Sequence, residues 1–164
     1  NQSTYSADIE VDATFTGKEL RQMYRVRVRP ETGRIERLLV FFSESVGDDL
    51  RWTDDTSGAQ LTADRLAVDD PRISRFPAGG EFWLVRLKRP VNRATEISAT
   101  RVTPWLERKS LPLLSLPDAT QQQGRVVLRA SGVESAVPEA RLERARASRL
   151  DHTHTIRPRA SDAA

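Results

Sequence analysis

Between Tyr5 and Arg29 the side chains alternate. Tyr5, Ala7, Ile9, Val11, Ala13 and Phe15 are apolar, and Ser6, Asp8, Glu10, Asp12 and Thr14 between them are polar. After Thr16-Gly17-Lys18-Glu19 the alternation resumes, with Tyr24, Val26 and Val28 set against Arg25, Arg27 and Arg29. A repeat of two residues belongs to a β-strand with one buried and one wet face. The two strands predict a hairpin with its loop over 17–20. That register places Phe15 opposite Gln22, Ala13 opposite Tyr24, Val11 opposite Val26 and Ile9 opposite Val28. On the wet face it sets Asp12 against Arg25, Glu10 against Arg27 and Asp8 against Arg29. A slip of one residue would carry arginines into the core. A slip of two keeps the faces and loses one charge pair. The apolar pattern therefore sets the parity, and charge selects among registers of that parity.

The rest of the chain reads as further strands added to this hairpin. Arg29-Pro30-Glu31-Thr32-Gly33 predicts a turn, since Pro fixes φ and Gly supplies a positive φ. A third strand over 35–43 follows, making an antiparallel meander. Its centre, Leu38 to Phe42, is apolar on both faces, as in a strand covered on both sides or lying under a loop. Strands are also predicted over 50–53, 81–88, 94–102 and 124–130. The segment 111–116 contains a proline and reads as an edge or crossing piece. One helical turn is expected over 61–66, with Thr62 as its cap. Trp83, Val85 and Leu87 are expected inward, as are Ile97 and Ala99. Beyond Gly132 the character changes. Residues 138–150 (PEARLERARASRL) combine good helix formers with Glu and Arg at helical spacings, and 151–164 read as a disordered tail. The expected fold is an all-β antiparallel β-sandwich, immunoglobulin-like or related, over 1–132, followed by a short helix at about 138–150 and a flexible tail within 133–164. An open barrel is the alternative.

Composition removes several chemistries. The 164 residues suffice for one domain with a real core. With no cysteine there is no disulfide, thiolate metal site or cysteine nucleophile. The longest apolar run, Leu38 to Phe42, is far too short to span a bilayer as a helix. The chain begins with Asn and shows no signal peptide, so it reads as a processed chain or a piece of something longer. A pI of 9.8 suggests nucleic acid at first sight. Yet the net charge is only +3, from 26 basic against 23 acidic residues. Almost all the basic residues are arginines, which stay charged to very high pH and lift the pI. The signs are interleaved, not gathered in one stripe, and no nucleic-acid partner is expected.

Four features carry what chemistry the sequence offers. Asp48, Asp49, Asp54 and Asp55 flank Leu50-Arg51-Trp52 in a polar stretch, and oxygen ligands in a loop are the type calcium takes, although their spacing is not that of an EF-hand. Trp52, bracketed by these acids, is the candidate for an exposed aromatic platform that would bind carbohydrate. His152 and His154, with Asp151 beside them, are the candidate metal ligands in the tail. Neither histidine falls in the predicted core domain, which removes a Ser-His-Asp triad from it. The tail arginines Arg141, Arg144, Arg146, Arg149, Arg157 and Arg159 are a candidate contact for an anionic polymer. No phosphate-binding glycine loop or dinucleotide fingerprint is present, and no cofactor is expected.

The stretch from Gly79 to Ala130 adds a resemblance. Gly79-Gly80 before an aromatic strand, the turn Leu116-Pro117-Asp118-Ala119, and Gln123-Gly124-Arg125-Val126-Val127 resemble segments of very large, uncharacterised bacterial envelope proteins built of many β-sandwich units. The resemblance implies an exported, extracytoplasmic module of the cell envelope or periplasm. It carries over no catalytic residue. The expectation is a non-catalytic module whose partners are other protein domains, with carbohydrate binding at Trp52 and anionic-polymer binding by the tail as alternatives.

Overall fold

A computed structural model describes residues 3–104 and 111–130. Among these residues nine strands form two sheets. The strands are β1 (Thr4–Phe15), β2 (Glu19–Thr32), β3 (Ile35–Phe42), β4 (Arg51–Asp54), β5 (Thr62–Arg65), β6 (Glu81–Val91), β7 (Thr95–Pro104), β8 (Leu114–Ser115) and β9 (Gln121–Ala130). A single 3-10 turn, Pro71–Ile73, interrupts them, and there is no α-helix among the described residues. One sheet has the order β4-β7-β2-β1-β9 and the other β5-β6-β3-β8. Neither sheet closes on itself, so the barrel alternative falls. The two sheets share one core, an arrangement compatible with a sandwich. From the first come Ile9, Val11, Tyr24, Val26, Val28, Ile97 and Ala99, and from the second Leu38, Val40, Phe42, Trp83 and Val85. The Phe42 ring meets Tyr24 edge-on at 5.3 Å and Trp52 at 6.2 Å, tying the layers together.

The opening hairpin forms with the expected parity but two residues out of the expected register. Phe15 pairs with Leu20, Ala13 with Gln22, Val11 with Tyr24 and Ile9 with Val26. The loop is shorter than predicted. Gly17, at φ 78°, allows a tight reversal closed by hydrogen bonds between Thr16 and Glu19. Magnitudes explain the choice. This register buries Leu20 against Phe15, worth about 1.5–3 kcal/mol. The rejected one would gain a single further exposed charge pair, worth about 0.2–1 kcal/mol.

Three other expectations are corrected. First, β2 and β3 do not form a meander. Flanked by β1 and β7, β2 has no free side, and the chain crosses at Gly33 (φ 70°) into the other sheet. Second, 62–65 is a strand and not a helical turn. It pairs with β6, matching Ala63 to Val85 and Arg65 to Trp83, and the Arg65 guanidinium lies 5.1 Å from the Trp83 ring. That pairing outweighs the weak local preference of a capped turn. Third, the sandwich is not wholly antiparallel. β9 runs parallel to β1, from Ser6 with Gln121 to Phe15 with Ala130.

The doubly apolar run in β3 has the second of its two expected causes. Leu38, Val40 and Phe42 face the shared core. Leu39 and Phe41, with Phe82 and Leu84 of β6, face outward and are covered by Leu66, Ile73 and Phe76 of the segment between β5 and β6. The predicted helix at 138–150 and the tail lie outside the described residues.

Candidate functional site

The residues picked out by sequence do not gather into one site. Trp52 is 2% exposed and belongs to the shared core. Its ring packs on Phe42 and offers no face to solvent, which overturns the exposed-platform reading. The error has a clear source. Trp52 sits on β4, whose neighbours Arg51 and Thr53 point the other way, so the bracketing acids report on the opposite face and the loop ends.

The four aspartates serve four separate contacts. Asp48 accepts from Arg65 at 2.7 Å. Asp49 lies 4.0 Å from Arg101. Asp54 accepts the backbone N–H of Thr56 at 2.8 Å, in a tight turn. Asp55 accepts the Ser98 hydroxyl at 2.5 Å. Among the described residues no three acidic or histidine side chains stand together as metal ligands. His152, His154 and the tail arginines lie outside the described residues.

What the fold does assemble is the wet face of the five-stranded sheet. Asp8, Glu10 and Asp12 of β1 are met by arginines of β2, of β9 or, at Glu10, of both. On the β2 side, Arg25 reaches Glu10 at 3.7 Å and Arg29 bonds Asp8 diagonally. On the β9 side, Arg125 reaches Glu10 at 2.5 Å and Arg129 reaches Asp12 at 3.4 Å. Arg27 stands in register between Asp8 of β1 and Glu96 of β7. The Arg29 bond holds the Asp8 carboxyl below the usual carboxylate value. An open depression of about 370 Å³ runs across this face, edged by Asp8, Glu10, Arg25, Arg27, Glu96 and Arg125. Arg125, Arg129 and Glu96 escaped sequence reasoning as members of this face. The period-two spacing of Arg125, Val127 and Arg129 was visible, but their sheet neighbour was not.

The buried polar groups serve the frame. Tyr24 donates its hydroxyl to the Pro112 carbonyl at 2.9 Å, and burial pushes its phenol well above the usual range. Burial, helped by the Asp118 carboxylate, does the same to Tyr5. Arg101 points inward from β7, its side chain 8% exposed, and donates to the buried Gln22 amide oxygen. Asp49 is thus the counter-charge at the mouth of a buried arginine. A second depression, of about 580 Å³, lies between Tyr5, Arg34, Arg37, Arg75 and Asp118, where Arg75 and Asp118 are already paired.

Compared with protein-family models and with curated proteins, the chain matches none.

Proposed function

We propose that the chain is a non-catalytic, immunoglobulin-like β-sandwich module of an exported or envelope protein, working through contacts with other protein domains. The observation that carries this reading is the charge-ordered face of the five-stranded sheet. It gathers charged side chains from four strands, and its groups are paired in a lattice suited to recognition by charge and shape. The acids that a hydrolase would need are instead dispersed over structural contacts. The envelope setting rests on the resemblance of Gly79 to Ala130 to multi-unit envelope proteins.

Two measurements test it. The purified chain is expected to turn over none of a panel of generic ester, glycoside, peptide and phosphate substrates. Turnover that vanished in Asp48→Asn or Asp55→Asn, with folding intact, would overturn the reading. In the source cell, an antibody to residues 3–130 is expected to find the parent protein in the envelope fraction, and a wholly cytosolic signal would remove the exported setting.

A further inference from the structure

The sheet edges of this molecule are unequal. β4 and β5 have four residues each and β8 has two, so three edges are short. β9 has ten, with no proline and an unbroken register against β1. Among the described residues no strand pairs with its far side. A long edge without bulge or proline is a ready template for one more strand.

Charge adds a direction to this. Across the wet face the sign alternates strand by strand: Glu96 on β7, the arginines of β2, the acids of β1, the arginines of β9. Inside the sheet two charged positions have opposite charge on both sides. Arg27 lies between Asp8 and Glu96, and Glu10 takes Arg25 and Arg125 together. At β9 the alternation stops, with no further strand among the described residues on its outer side. Arg125 and Arg129 remain 67% and 63% exposed despite their bonds to Glu10 and Asp12. Each guanidinium has donors to spare.

We propose that the free edge of β9 accepts an extended acidic segment of a partner protein, with Asp or Glu at alternate positions, as a sixth strand of the sheet. The proposal rests on the interaction-module reading and names the partner's chemistry. A second copy of this chain is the poorer occupant. β9 against β9 would set arginines against arginines, and β4 would present Arg51 and Thr53. The chain's own period-two acidic strand, β1, is already paired on both sides.

The test uses the full chain and the octapeptide Thr-Glu-Val-Asp-Val-Glu-Val-Thr. Titration followed by backbone NMR and hydrogen exchange is expected to show saturable binding, with new protection confined to β9 amides. A version with arginines for the acids is expected to bind about tenfold more weakly, because two cross-strand attractions become repulsions. A version N-methylated at alternate residues is expected not to bind, since it cannot complete the ladder. The variant Arg125→Gln/Arg129→Gln, shown folded by its thermal transition, is expected to lose the preference for acids. Failure of the acidic peptide to bind overturns the proposal. So does equal binding of the N-methylated peptide, which would mean surface charge without strand addition, and so does protection appearing on β4 instead. Those failures leave the interaction-module reading standing if another face of the folded chain binds a protein partner, whereas carboxylate-dependent turnover would remove that reading itself.

Discussion

Gly80 shows how much a single residue can hold in this fold. It sits at φ 68° where the chain enters β6, and a Cβ built there would lie 2.4 Å from the Phe41 ring and 2.5 Å from the Phe42 carbonyl oxygen. Gly58 has a similar φ of 72° but open space around it. Gly58→Ala is expected to cost only the left-handed backbone penalty, about 1–2 kcal/mol. Gly80→Ala is expected to cost clearly more, since backbone must also move, and urea denaturation of the two variants checks the difference. Asp70 makes a prediction in pH. Arg72 bonds its carboxylate through both side chain and backbone, lowering its pKa from 3.8 to about 2. A lowered folded value means the contribution is complete above the unfolded pKa and is lost as pH falls through the folded one. Asp8 shifts in the same direction through Arg29. Denaturation midpoints are expected to fall between about pH 4 and about pH 2, less steeply in Asp70→Asn. Residue identity alone told less. Trp52 in an acidic stretch read as exposed, because the sequence lists neighbours along the chain, while burial depends on the side of the strand.

At the scale of elements, the hairpin of β1 and β2 gives the sharpest test. Glu10→Arg is expected to lower stability modestly, and Arg25→Glu or Arg125→Glu is expected to restore part of it, with coupling of about 0.2–1 kcal/mol. Arg27→Glu is expected to restore less, because Arg27 faces Asp8 and Glu96. Double-mutant cycles by chemical denaturation separate the observed register from the one two residues away. Parity was legible because every second residue is apolar. The register was not, because Leu20 looked like loop until Gly17 was seen to close the turn early. The strand 62–65 was hidden for a related reason. Thr-Ala-Asp-Arg has no apolar alternation of its own and is held by Arg65 on Trp83 and by its pairing with β6.

At the scale of the molecule, most of the strands and the inward faces of β6 and β7 could be read from the sequence, β5 being the exception. Their division between two sheets could not. That division depends on which strands find neighbours far along the chain, and short turns such as that at Gly33 join strands of different sheets as readily as strands of one. The pairing of β1 with β9 is the extreme case, since Arg125 and Glu10 are 115 residues apart. Nothing local announces it. The candidate surface was half legible for the same reason. Its β1 and β2 rows stood together in the sequence, and its β9 row had to be brought to them.

Because β1 and β9 run parallel and side by side, the described chain enters the sheet at one end and leaves it at the other, about 33 Å away for ten residues in register. Tension applied at Thr4 and Ala130 therefore slides the two strands along each other. Their hydrogen bonds must then yield together, not one by one as in unzipping. Within a long tandem protein under stretch, such a unit would act as a mechanical stop. Pulled from residues 4 and 130 in a force spectrometer, the fold is expected to resist markedly higher force than when pulled from residues 4 and 120, which lie at the same end of the sheet. Equal rupture forces in the two geometries would show that the terminal strands do not set its mechanical strength.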